Sequence, residues 1–203
     1  MSALRDATIG DYLEEVASAT PTPGGGSVAA VVAALASALG SMVTAISAAK
    51  STDDYLKRLA AKCASYSELF LQLAAEDEAA FEAVMAALSL PQGDPSRTAR
   101  LESCVQAAAQ TPLAVARTCL ELLAVLASLA TSVSRHCVSD VGAAAHLALA
   151  ALRTSLLNVS INITFMKDAD AAATFDAAAA SLEADGQARS QQIVDQVVAR
   201  IRG

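Results

Sequence analysis

A chain of 203 residues is long enough to bury a real core and short enough for one domain, read here as residues 1–203. Its formal net charge of -7, from 14 Lys and Arg against 21 Asp and Glu, leaves no basic patch to neutralise phosphates and excludes a nucleic-acid partner. Four cysteines without a Cys-x-x-Cys pair, and only His136 and His146 to join them, argue against a metal site, and an acidic N-terminus without an apolar run argues for a cytoplasmic protein with reduced thiols.

In chain order, Thr8 is placed to cap a short first helix, "IGDYLEEVAS". "TPTPGGGS" follows, with three consecutive glycines directly ahead of a long apolar run. Such a bare backbone permits a sharp turn, a close crossing by another segment, or amide groups left open to a ligand. Residues 28–49 then hold no charge over 22 positions, long enough to span a bilayer. The run is mostly alanine with interspersed serine and threonine, and the chain has no tryptophan and only 3% aromatics for interfacial belts. The expectation is a helix buried among helices, with no membrane partner.

Ser51 or Thr52, with Asp53 and Asp54, opens a third helix expected to reach about Leu90, where "LPQGDPS" is the clearest break in the chain. A fourth begins near Ser96 and carries Pro112, a candidate kink, before ending around "SVSRH". Ser139 is placed to cap a fifth that runs to about Lys167, and a sixth fills the C-terminal end with Gly186 as its weak point. "LLNVSINITF" is β-branched enough for a strand, yet its flanks are helical and it is read as helix. The fold class that follows is all-α, a bundle of long helices.

Polar residues within the apolar seams are the candidate functional groups. In the third helix Leu56, Leu59, Cys63, Tyr66, Phe70, Leu73, Asp77, Phe81, Val84 and Leu88 recur at spacings of three or four, so Asp77 falls on the buried line. Glu76 and Glu78 fall off it and are expected in solvent. A carboxylate so placed has a raised pKa unless paired, which suits proton transfer near neutral pH; a structural aspartate paired with a lysine is the alternative. In the fifth helix Asn158 and Asn162 share a face, able to bracket a heterocycle with mixed donors and acceptors or simply to crosslink helices. Asp140 lies near the same phase but 18 residues earlier, roughly 27 Å along a straight helix, so one small ligand cannot touch all three from a single helix.

"YLEEVASATPTPGGGSVAA", "AEDEAAFEAVMAALSLP", "VSDVGAAAHLALAALRTSLLNVSIN" and "MKD" occur in that order over nearly the whole chain. The sequence thereby resembles the formiminotetrahydrofolate cyclodeaminase and methenyltetrahydrofolate cyclohydrolase family, in its stand-alone form. The resemblance implies an all-helical homodimer that acts on a tetrahydrofolate derivative without metal or redox cofactor. It places the catalytic aspartate of a D-x-x-A-F stretch on Asp77. From the residues themselves, Gly24, Gly25, Gly26, Ser27, Asn158 and Asn162 are the candidate substrate contacts, and Asp140 would serve a different part of the site, one completed by a second subunit. One departure stands before Ser139, where relatives commonly carry a Gly-Asn-x-Asn-like loop and this chain reads "SVSRHCVSD".

The implied reactions share one carbon bearing several heteroatoms. In cyclodeamination the bridge nitrogen attacks the formimino carbon and ammonia leaves; in cyclohydrolysis water attacks the methenyl carbon and the ring opens. A single carboxylate beside that carbon can accept the nucleophile's proton, return it to the departing nitrogen and stabilise the cationic state. The amides of Gly24 to Ser27 would suit an anionic group such as the folate glutamate tail, and Lys50, Arg153 and Lys167 are either further tail contacts or, the default for such side chains, surface charges. A non-catalytic folate-binding or helical scaffold protein is the alternative function.

Overall fold

The computed structural model describes residues 3–49 and 54–203, so Lys50 and the capping residues Ser51, Thr52 and Asp53 lie outside the described residues. Six α-helices account for the fold, and no strand occurs among the described residues: α1 (Ile9–Val16), α2 (Gly25–Ala48), α3 (Asp54–Leu88), α4 (Arg97–Ser132), α5 (Val138–Ile163) and α6 (Ala169–Arg202). The stretch "LLNVSINITF" runs as helix to Ile163.

Thr8 caps α1 in a reciprocal box with Asp11, whose backbone N–H donates to Thr8 Oγ1 at 3.1 Å. α2 is the central element and packs against α3, α5 and α4. Its alanines make this possible: Ala30, Ala33 and Ala36 are fully buried, and small side chains let neighbouring helix axes approach closely. Two hydroxyls on its inner face are satisfied, Ser37 donating across to the Cys63 carbonyl of α3 at 2.7 Å and Thr44 to the Gly40 carbonyl of its own helix at 2.6 Å. By length and composition α2, α4 and the segment Arg135–Ile163 could each cross a membrane; in the fold, half of the most apolar window of α2 is buried against protein.

Both boundaries of α5 differ from the sequence reading. The helix expected to start at a Ser139 cap begins at Val138, after a short 3-10 turn over Arg135–Cys137, and ends at Ile163 rather than Lys167. Asp168, beyond the end of α5, caps α6, its carboxylate accepting from the N–H groups of Asp170 and Ala171. Gly186 is not a weak point: a β-carbon there would sit 2.7 Å from Leu152 Cδ1, so the glycine lets α6 close onto α5. Pro112 stays inside α4, which continues without a break to Ser132.

α3 and α4, joined by residues 89–96, run antiparallel. The seam of α3 is core from Leu56 to Leu73. Beyond Leu73 it leaves the core, and Asp77, Phe81, Val84 and Leu88 line a cavity instead.

Candidate functional site

The cavity has a volume of about 390 Å³ and lies between the C-terminal half of α3, the N-terminal half of α4, the last turns of α5 and the glycine loop. It falls within the range of small-molecule sites, about 300 to 1,000 Å³. One end is polar, carrying Asp77, the backbone of Gly24, Gly25 and Gly26, and the amides of Asn158 and Asn162. The remainder is walled by apolar side chains from three helices, including Phe81, Val84, Leu101 and Val105.

Asp77 is half-buried against the first turn of α2. Gly24 is the N-cap of that helix, with no side chain to close it, and of the first-turn N–H groups that of Ser27 is engaged by Asp77. No described glycine has positive φ, so a left-handed turn is not the reason for the glycine triplet. At Gly26 the reason is space: a β-carbon would lie 2.4 Å from both Asp77 carboxylate oxygens. At Gly25 a β-carbon would meet only the Asn158 amide, with Nδ2 at an ordinary 3.5 Å and Oδ1 at 3.9 Å.

Burial pushes the Asp77 carboxyl up to about 6; the Ser27 backbone N–H pulls it down, and the nearby Glu78 charge adds to the rise. Glu78 is therefore not the solvated group that its position off the seam suggested. It is half-buried, and Ser27 Oγ donates to its Oε1 at 2.6 Å. Glu76 does face solvent and accepts from Gln72 Nε2. Ser27 thus serves both carboxylates, with its hydroxyl fully buried and turned away from the cavity. The Tyr12 ring from α1 lies beside this pair, its hydroxyl pKa raised chiefly by burial.

The two asparagines hold different structural ties. Asn158 Nδ2 donates within its own helix, to the Thr154 carbonyl at 2.9 Å. Asn162 Nδ2 crosses to α4 and donates to the Ala108 carbonyl at 2.9 Å. That acceptor is open because the residue four positions later, Pro112, has no N–H to donate. The crosslinking alternative therefore holds for the Asn162 amide nitrogen, while both residues still line the cavity.

Asp140 is not brought to this cavity. It stands in the first turn of α5, at the opposite end from Asn158 and Asn162. Arg153 is also elsewhere, bonded to Glu183 and Gln187 of α6. Lys167 is exposed, and its backbone N–H donates to Glu102. The glycine backbone lies at the Asp77 end of the cavity. The sequence reading also took Phe81, Val84 and Leu88 for core; the same three-and-four spacing serves a core and a cavity wall.

Comparisons with known proteins agree on one family. The family described as formiminotransferase-cyclodeaminase matches residues 8–181. A methenyltetrahydrofolate cyclohydrolase of Methylorubrum extorquens is 33% identical over 169 residues, covering 79% of this chain and 81% of that protein. A formimidoyltransferase-cyclodeaminase of Rattus norvegicus is 34% identical over 174 residues, which make up 82% of this chain but only 32% of that longer protein. In three dimensions the chain is similar to the crystal structure of a formiminotetrahydrofolate cyclodeaminase from Thermotoga maritima, with a TM-score of 0.85 and 26% identity, covering 97% of this chain and 98% of that one.

Proposed function

This chain belongs to the formiminotransferase-cyclodeaminase family, and on that footing we propose that it is a folate one-carbon enzyme in which Asp77 moves protons at the methenyl or formimino carbon of a tetrahydrofolate derivative. The observation that carries the reading is a carboxyl with a pKa near 6, set at the polar end of a cavity beside the glycine backbone and two asparagine amides. At that pKa the group exists in both protonation states near neutral pH, as a group that must both accept and donate requires.

Hydrolysis of the methenyl bridge is the principal activity in this reading. Asp77 takes a proton from the water that attacks the bridging carbon and gives it to the ring nitrogen as the carbon–nitrogen bond breaks. For the formimino substrate the same carboxyl takes the proton of the bridge nitrogen as that nitrogen bonds to the formimino carbon, and delivers it to the departing ammonia. The negative form of Asp77 also favours the cationic methenyl group over neutral competitors. Asn158 and Asn162 orient the heterocycle through the carbonyl and amide edges that their helix ties leave over. No cofactor is assigned, and the protein is placed in the cytoplasm.

We further propose that the protein works as a homodimer. Leu35, Met42 and Ile46 form one exposed stripe along α2, at 54%, 39% and 45% exposure, on a helix that carries no charge to keep that face in water.

Absorbance of the methenyl chromophore with purified protein tests the activity. Its loss from methenyltetrahydrofolate, or its appearance from the formimino compound, is expected. Binding of either compound with no change in absorbance would leave a folate-binding scaffold.

A further inference from the structure

We propose that Arg97 makes the outer end of the cavity a carboxylate-binding subsite, which takes the glutamate tail of the folate substrate; the inference rests on the folate reading of the cavity.

The register of α4 leads to this residue. Leu101, Val105 and Ala108 line the cavity at spacings of four and three, and Arg97 stands four residues before Leu101 on the same face. The facing wall on α3 runs from Asp77 to Leu88, eleven residues or about 16 Å of helix. Arg97 Nη2 donates to the Leu88 carbonyl at 3.3 Å, so its guanidinium lies at the end of the cavity remote from Asp77.

The charge of Arg97 is uncompensated. Its Nε and Nη2 bond two neutral carbonyls, Leu90 at 3.0 Å and Leu88 at 3.3 Å, and it joins no salt bridge among the described residues. The neighbouring Asp94 carboxylate is engaged by the Ser96 N–H and hydroxyl. The first turn of α4 carries no acidic residue, so its amides add to the positive potential at this end. In an acidic protein a half-buried guanidinium without an ion pair, set beside the cavity's Leu88 and Leu101 wall, favours an anion.

Along the cavity the order is therefore hydrogen-bonding groups, apolar wall, cation. A folate presents the same order: a heteroatom-rich pterin with its one-carbon unit, an aryl ring, and glutamate carboxylates. Alignment of both orders puts the reacting carbon at Asp77 and the carboxylates at Arg97.

The test compares KM for methenyltetrahydrofolate with that for methenyltetrahydropteroate, which lacks glutamate, in the wild type and in Arg97→Gln. The expected result is a rise of roughly 10- to 100-fold in KM for the glutamyl substrate only, with kcat little changed. A wild-type preference for the glutamyl substrate that shrinks with added salt is expected as well. Arg97 also closes the C-terminus of α3, and a purely capping role would lower the melting temperature while shifting both KM values together or neither, which overturns the subsite. Should Arg97→Gln not fold, the wild-type comparison decides: a preference unaffected by salt, or none at all, overturns it. A wild type that neither binds nor turns over either compound refutes the folate reading itself.

Discussion

Gly26 and Asp77 occupy space that one more carbon would make impossible to share: a β-carbon on Gly26 would lie 2.4 Å from each oxygen of the Asp77 carboxylate. The carboxylate reaches the first turn of α2 only because that position has no side chain. Gly26→Ala is expected to displace it rather than unfold the protein, since the atoms in the way are the end of a side chain that can rotate. Misplacement of a reacting group by about 1 Å costs on the order of a hundredfold in rate. Turnover should fall by about that much while the circular dichroism stays helical; unchanged turnover would show that the close approach has no bearing on catalysis.

Gly25→Val tests the other half of the loop. Its side chain would project toward Asn158 without touching Asp77, so folate affinity should fall while the melting temperature holds. Unfolding of this variant would favour a packing role for the loop.

Asp77→Asn removes the titrating proton and keeps the size of the side chain. A positioned acid-base group contributes about a hundredfold to ten-thousandfold, and a loss in that range with folate binding retained is expected. Glu76→Gln, on the exposed face, should change the rate by less than about tenfold. Normal turnover in Asp77→Asn would remove Asp77 from the mechanism.

The pKa of Asp77 has a signature in stability as well as in rate. Its folded value, about 6, stands above the ordinary 3.8, so the native state holds this proton more tightly than the unfolded chain does. The stabilising contribution is full below about pH 4 and is lost as pH rises through 6, a difference on the order of 1 to 3 kcal/mol. Melting curves from pH 4 to pH 8 should therefore show Asp77→Asn gaining on the wild type as pH rises. In kcat/KM the ionisation should appear as a limb near pH 6, and Glu78→Gln should move that limb to lower pH by removing a neighbouring negative charge.

Asn162→Ala and Asn158→Ala should separate stability from binding. The first leaves the Ala108 carbonyl with neither the Asn162 amide nor an N–H from Pro112, a loss of about 1 to 3 kcal/mol. The second breaks only a bond within α5 to a carbonyl of regular helix, so its effect should appear in folate affinity more than in melting temperature. Equal melting temperatures for the two variants would refute the distinction.

The proposed dimer face can be read by sedimentation. Met42→Asp places a charge in the exposed stripe between Leu35 and Ile46 and is expected to yield a monomer with native helicity. A wild type that is already monomeric at working concentration would refute the homodimer.

By itself the sequence determined the helices, because their signals are local. The three-and-four spacing from Leu56 onward, the Thr8 cap and the break at 90–96 each act within a few residues, and each appears in the fold. It also singled out Asp77, since a carboxylate on an apolar seam is conspicuous without knowing what the seam faces. What lies opposite a seam is a long-range matter. Phe70 and Phe81 occupy the same stripe of α3, yet one is fully buried and the other walls a cavity, because α2 begins only at Gly25 and leaves the stripe uncovered beyond Asp77. Glu78 follows the same logic: helical phase put it in solvent, and the Ser27 hydroxyl of another helix drew it inward. The meeting of Asn162 with the carbonyl that Pro112 leaves open spans 54 residues of chain. Only the packing of α5 on α4 could decide that the proline's missing N–H would be answered by an amide at the end of a different helix.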